Sequence, residues 1–369
     1  MPAPGDFTLG VEEEYLVVDP ETRAPRLDGD KLLAAARGEL GDRVQAELQI
    51  SQLEVGTAVC TDLDDVRRDL HRLRSGLAAA LEPHGAAIAA SGSHPFASWR
   101  DVRITPEEAY LRLEKDYQQL AREQLICGCH VHVGIDDPEL AIRVLNRARP
   151  WLATLVALAA NSPFWMAADT GYASFRTEVW RRWPTAGTPD RLADRAEYDR
   201  LVGDLLATGS VDAPARLYFD VRPSFRYPTL EFRVTDVCLD VDDAVMAAGL
   251  IRALCRACAR DAADGRPEPA LRTELIRVAT WRAARHGLDA ELLDLSARRA
   301  APAAEVVASL LAYVRPELED AGEWDEVSAL VERTLRRGTG AARQRRAHQS
   351  SGRLEDVVDY VVAETVRGR

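Results

Sequence analysis

The chain has 369 residues, 47% of them hydrophobic, and a formal net charge of −12; that is length and apolarity enough for a large core, and the wrong charge for nucleic acid or an anionic membrane as partner. No apolar run approaches the roughly 20 residues that cross a bilayer, and the start MPAPGDFTLGVEEEY has neither the basic end nor the apolar stretch of a secretion leader, so a cytoplasmic location is expected. The six dispersed cysteines are expected to be reduced thiols, and the only lysines, Lys31 and Lys115, stand outside any Gly-Lys-[Ser/Thr] sequence, which excludes a Walker A phosphate loop.

The first strand-like stretch is FTLGVEEEYLVVD, from Phe7. Successive side chains of a strand face opposite ways, so Glu12 and Glu14 project together beside Thr8 and Gly10, while Glu13 falls on the apolar side with Leu9, Val11 and Tyr15. A strand end or edge is the only account of Glu13 that the sequence offers. AELQISQLEVGT reads as a further strand-like stretch and adds Glu54. Glu47 lies seven residues earlier and would face the other way in one regular strand, so a bulge or turn near Ile50 to Gln52 is required to unite the two. Leu63 to Leu81 carries Val66, Leu70, Leu73 and Leu77 at helical spacing, and a second helix is expected from Pro106 to Glu123.

LICGCHVHVGI, Leu125 to Ile135, looks at first like a zinc site. Parity divides it: Cys127 and Cys129 join the apolar face with Val131 and Val133, and His130 and His132 take the other. A regular strand cannot aim all four at one ion, which argues against a Cys/His zinc centre. Pro138 to Ala160 reads as helix with a break at Pro150. In NSPFWMAADTGYASFR the helix ends at Asn161 to Pro163, and Asp169 to Arg176 reads as a loop around a ligand. Arg176 could clamp a carboxylate or phosphate there, or equally form a surface salt bridge. YFDVRPSFRYPTLEFRVTD is the next strand-like stretch; it turns Glu231 and Arg233 to one face and Leu230, Phe232 and Val234 to the other, and Arg222 shares the ambiguity of Arg176. After Asp236 the pattern is almost wholly helical: Asp240 to Asp261, Pro269 to Arg285, Ala303 to Val314, Trp324 to Arg336 and Leu354 to Val366. Gly338, Gly340 and Arg343 in GTGAARQR read by themselves as a flexible connector.

Irregularly spaced strands followed by a run of helices, without internal repeats or low-complexity linkers, point to one α+β domain spanning residues 1–369 with a largely antiparallel or mixed sheet and a helical C-terminal third. Three stretches each put a functional pair on one face: Glu12/Glu14, His130/His132 and Glu231/Arg233. A solvated sheet face would look similar for any one pair. Three together, flanked by Gly10, Gly128 and Gly134, favour an oxygen-rich site for Mg²⁺ or Mn²⁺ with space for a ligand.

The ordered set FTLGVEEEYLVVD, SQLEVGT, SGSHPFASW, CGCHVHVGI, ANSPFWMAADTGYASFR, DVRPSFRYPTLEFRVTD and GTGAARQR, from residue 7 to about 345, resembles the glutamate–cysteine ligase type 2 family of ATP-dependent carboxylate–amine ligases. The resemblance implies a glutamine synthetase-like catalytic fold, a curved antiparallel sheet holding ATP and two or three divalent ions, with helices behind. It implies Glu12, Glu14, Glu54, His130 and Glu231 as metal ligands, and Arg233 and Arg176 as catalytic cations. His132, Glu47, Arg222, Asn161 and Arg343 would then contact nucleotide or substrate. The implied reaction joins a small carboxylic acid, glutamate by the family name, to an amine through an acyl phosphate; another acid and amine remain an alternative. A metal-dependent amide hydrolase and a non-catalytic nucleotide-binding protein are the readings from other classes, and a homo-oligomer is compatible with the sequence.

Overall fold

The computed structural model describes residues 7–367. Residues 1–6, on which the expectation of no leader partly rests, lie outside them. In chain order the elements are β1 (Leu9–Val18), α1 (Gly29–Leu40), β2 (Val44–Ala46), β3 (Gln52–Gly56), α2 (Leu63–Leu81), β4 (Ala87–Ala89), α3 (Glu108–Tyr117), α4 (Gln119–Arg122), β5 (Gly128–Gly134), α5 (Pro138–Ala148), α6 (Leu152–Leu158), β6 (Phe164–Trp165), β7 (Ala168–Asp169) and α7 (Phe175–Trp180). There follow α8 (Arg195–Ala207), β8 (Val221–Pro223), β9 (Thr229–Asp236), α9 (Val241–Ala263), α10 (Thr273–His286), β10 (Glu291–Asp294), β11 (Arg299–Pro302), α11 (Ala303–Asp320), α12 (Trp324–Arg337), α13 (Gly340–Ser351) and α14 (Leu354–Thr365).

The main sheet has the order β2-β3-β1-β5-β9-β8, and β4 pairs the far half of β1. Each of its ladders is antiparallel. The apolar parity read from the sequence becomes the rear face: Leu9, Val11, Val131 and Phe232 are buried with Val66 and Leu70 of α2 and Val245 and Ile251 of α9. The other half of β1 buries Tyr15 and Val17 with Leu73 and Leu77 of α2 and Leu32 of α1. Each such side chain contributes about 1.5–3 kcal/mol by leaving water. Helix α2 starts where Asp62 accepts the Asp65 amide, a side-chain cap that supplies one missing hydrogen bond of the first turn.

Several expectations change. YFDVRPSFRYPTLEFRVTD is a hairpin of β8 and β9 with residues 224–228 in its turn, so Arg222 lies directly opposite Glu231. The helix expected over 106–123 breaks at Gln118, whose φ of 49° is outside the helical range. Helix α11 runs through Pro316 to Asp320. The mainly helical third also contains the β10–β11 hairpin. Helices α1 and α8 had not been anticipated. GTGAARQR is not a flexible connector: Thr339 caps α13 by accepting the Ala342 amide.

Glu13 gains an account. Its carboxylate is fully buried and accepts from Arg74 of α2, Nε to Oε2 at 2.9 Å, and from the Tyr15 hydroxyl. The Arg74 guanidinium also reaches the carbonyls of Cys238 at 2.8 Å, Leu239 at 3.2 Å and Thr365 at 3.4 Å. One ion pair thus ties β1, α2, the connection from β9 to α9 and α14 together behind the polar face.

Candidate active site

Directly opposed residues of antiparallel strands put their side chains on the same face. Gly56, Glu12 and His130 form one row across β3, β1 and β5; Glu54 and Glu14 are opposed in another; Gly10, His132, Glu231 and Arg222 form a third across β1, β5, β9 and β8. The β5–β9 register shifts between Cys129 and Val131: Arg233 and Val234 of β9 bulge opposite His130. Glu12 Oε2 is 3.5 Å from both His130 Nδ1 and His132 Nε2, and Glu14 Oε1 is 3.7 Å from His130 Nε2. The other Glu14 oxygen accepts the Gly128 amide at 2.6 Å. His132 Nδ1 meets Thr229 Oγ1 at 2.9 Å, which turns its Nε2 toward Glu12.

The turn required for Glu47 exists: Ile50 and Ser51 reverse the chain, closed by the Gln52 amide donating to the Gln49 carbonyl at 2.9 Å. Glu47 thereby joins Glu14 and Glu54. Potential ligand atoms gather within 4.8 Å of one another in the trios Glu12/His132/Glu231, Glu12/Glu54/His130 and Glu14/Glu47/Glu54. Glu12 and Glu54 each serve two trios. Mg²⁺ holds ligands at about 2.1 Å in an octahedron, which sets neighbours about 3 Å and opposite ligands about 4.2 Å apart; the Glu12–histidine separations fall between these. His130 and His132 also bury Nε2 without a hydrogen-bond partner. Donor set, spacing and unpartnered nitrogens fit divalent cations.

The electrostatics agree. Burial, then the Glu14 charge, push the Glu47 carboxyl up to about 8. Burial and the charges of Glu12, Glu47 and Glu14 raise Glu54 well above the carboxylate range. Glu12 goes the other way: burial opposes ionisation, but the imidazoles of His130 and His132 beside it hold it well below its ordinary value. Burial likewise opposes ionisation of Glu231, and Arg233 and Arg222 outweigh it. Burial and the Arg233 charge lower His130, which keeps its imidazole neutral and available as a ligand. Four carboxylates crowded on one surface resist simultaneous ionisation, a conflict that bound cations relieve.

Two chambers meet along Glu12 and Glu54. The outer, about 630 Å³, is walled by Phe7, Val59, Tyr227 and Pro228, with Arg43, Arg226 and His132 supplying polar contacts. The inner, about 240 Å³, is lined by Glu14, Glu47, His130, Arg176 and Arg233 and closed by Tyr110, Trp180, Trp183 and Tyr218. Arg233 pairs with Glu231, and burial is outweighed by that charge, so its guanidinium stays ionised. Arg222 donates to Glu231 Oε2 at 2.8 Å and to the Ala215 carbonyl at 2.8 Å. Arg176 and Arg233 flank the Trp180 ring, 5.6 and 5.2 Å from its centroid. Gly128 makes room for Arg176: a Cβ there would lie 2.3 Å from Nη2.

Ten of the twelve residues singled out in the sequence gather on this face or at its edge; two do not. Asn161 is buried with its amide nitrogen donating to the Ala90 and Val237 carbonyls at 2.9 and 2.8 Å and its oxygen accepting from Gln344 at 2.8 Å. Arg343 is paired with Asp240 and Glu364 between α13, α14 and the start of α9. Neither lines the outer or the inner chamber; each ties scaffold elements together behind them. Conversely Tyr227, Trp180, Trp183 and Tyr218 had not been singled out. Tyr227 shares strand parity with Glu231, and Trp180 lies four residues after Arg176 on one helix, so signals for both were present.

Comparison with known proteins converges on one family. The glutamate–cysteine ligase family 2 model matches residues 8–360. A provisionally named glutamate–cysteine ligase 2-2 of Frankia alni is 46% identical over 384 residues, covering 99% of this chain and 98% of that protein. A provisionally named glutamate–cysteine ligase 2 of Rhodopirellula baltica is 39% identical over 364 residues, 97% of each. Among solved structures, the glutamate–cysteine ligase of Francisella tularensis in complex with AMP shares the fold with a TM-score of 0.69 at 13% identity, over 100% of this chain and 90% of that one. A bifunctional glutathione synthetase from Pasteurella multocida matches with 0.71 at 16% identity, over 98% of this chain and 52% of that one. By its family match, its close relatives and its α+β fold, the chain belongs to glutamate–cysteine ligase family 2 and is an ATP-dependent carboxylate–amine ligase.

Proposed function

We propose that the chain joins glutamate to cysteine in a single catalytic domain spanning residues 1–369, with ATP in the outer chamber and the acid in the inner one. The observation that carries the assignment is the shared wall: Glu12 and Glu54 line both chambers, so the one place where a terminal phosphate and a substrate carboxylate can meet is bordered by the cation-binding carboxylates. The outer chamber has the volume of a cofactor-sized site and apolar walls for a base. The inner has two guanidiniums for carboxylate and phosphoryl oxygens.

In the reaction the glutamate γ-carboxylate oxygen attacks the γ-phosphorus of ATP, ADP leaves, the amine attacks the acyl carbon and phosphate departs. Glu12, Glu14, Glu47, Glu54, His130, His132 and Glu231 would hold Mg²⁺, which would supply positive charge to neutralise the triphosphate. Arg233 stabilises charge on the transferring phosphoryl group, Arg222 holds Glu231 in place from β8, and Arg176 fixes the acid for in-line attack. The aromatic closure of the inner chamber excludes water that would hydrolyse the acyl phosphate. No side-chain nucleophile is needed. Six buried free cysteines suit the reducing cytoplasm.

The test is ADP release with Mg²⁺ across a panel of acids and amines, with products identified by mass spectrometry. Glutamate with cysteine is expected to give a dipeptide; ADP release that ignores both additions would refute the assignment. Glu231→Gln is expected to lower kcat by at least about 100-fold with an unchanged circular dichroism spectrum, and near-normal turnover would remove Glu231 from the metal set.

A further inference from the structure

The two cations of the inner chamber are held differently. Arg233 stands on β9 and is paired with Glu231. Arg176 is 2% exposed; its guanidinium lies over the Trp180 ring and donates to the Arg233 carbonyl at 3.4 and 3.3 Å, and its Nε has no hydrogen-bond partner among the described residues. Its position is set from behind, through its helix.

Asp236, the last residue of β9, is 1% exposed. Its Oδ2 accepts the Asn161 amide and the Ser162 hydroxyl, both at 2.7 Å, and its Oδ1 accepts the Ser174 hydroxyl at 2.7 Å. Each hydroxyl then turns a lone pair to the first turn of α7. Ser162 Oγ accepts the Arg176 amide at 3.0 Å, and Ser174 Oγ caps the helix by accepting the Thr177 amide at 3.3 Å. A carboxylate accepts and never donates, so both hydroxyls must point their protons at Asp236 and their oxygens at α7. Gly92 boxes the carboxylate in, since a Cβ there would lie 2.9 Å from its Cγ. No function assigned above uses this buried acid, which costs free energy unless it is fully hydrogen-bonded.

We propose that Asp236 is a positioning residue that fixes Arg176 in the inner chamber through Ser162 and Ser174; its kinetic consequence rests on the reading that Arg176 holds the acid substrate. Asp236→Asn keeps the shape and replaces one of the two accepting oxygens with a donor, set against a hydroxyl that now donates to it.

The experiment has two independent readouts on the full chain. In ¹⁵N-edited NMR, the Arg176 Nε–H signal, identified by its loss in Arg176→Lys, is expected to exchange with water at least about 10-fold faster in Asp236→Asn; unchanged exchange overturns the proposal. In steady-state ligation, the KM for glutamate is expected to rise about 10-fold while the KM for ATP stays within about twofold. On an Arg176→Lys background Asp236→Asn should add less than about twofold, and fully multiplying effects would overturn the proposal. If the exchange behaves as expected and the wild type makes no dipeptide, the positioning stands and the assignment of glutamate and cysteine as substrates falls. Should Asp236→Asn fail to fold, Ser162→Ala must give the same loosening of Arg176, and wild-type exchange in it would overturn the proposal.

Discussion

Replacing Arg74 with methionine removes one half of the buried ion pair behind β1. Glu13 and the Arg74 side chain are 0% and 2% exposed, so solvent cannot compensate the remaining carboxylate, and three backbone carbonyls lose a donor as well. Breaking a buried pair from one side costs about 3–5 kcal/mol. With an unfolding entropy of about 2.1 cal/mol/K per residue over 369 residues, that corresponds to a fall in Tm of about 4–6 °C. The expected signature in thermal and urea melts is this loss for Arg74→Met and partial recovery in Glu13→Gln/Arg74→Met, because the double variant leaves no buried charge. Because Glu13 stands between Glu12 and Glu14, Mg²⁺ affinity should also weaken in the single variant. A loss below about 1 kcal/mol, or a double variant worse than the sum of the singles, would refute the reasoning.

The raised carboxyls give a pH dependence of defined sign. Glu47 and Glu54 bind protons more tightly folded than unfolded, so their contribution to stability is fully present below about pH 4.5 and is lost as pH rises, for Glu47 up to about 8. The lowered Glu12 and Glu231 act in the opposite sense, below about pH 4.5. The metal-free protein should therefore lose Tm between pH 5 and 8, and Mg²⁺ at 100 times its Kd should restore about 2.7 kcal/mol at pH 8; a melt at pH 8 indifferent to Mg²⁺ would contradict the cation sites. Tyr227→Ala, which strips the outer chamber of an exposed aromatic wall, should raise the KM for ATP by about 5–10-fold at unchanged KM for glutamate, and the reverse split would exchange the chambers.

Strand parity needs only the pleat, so the sequence by itself determined that Glu12 with Glu14, His130 with His132 and Glu231 with Arg233 share faces, and that Cys127 and Cys129 go to the core. It likewise determined α2 and α12 within a residue or so, because their apolar spacing is unambiguous. What parity cannot supply is which strands are neighbours. Only the tertiary structure decided that β1 lies between β3 and β5, and hence that Glu12 is shared between metal trios. Only it placed Arg74 against Glu13 from 61 residues away, gave Asp236 its two serines, and used up Asn161 and Arg343 in the scaffold. A side chain's face is a local property of the backbone, whereas its partner is set by long-range packing, so the ligand face was legible in the sequence and the supports that aim it were not.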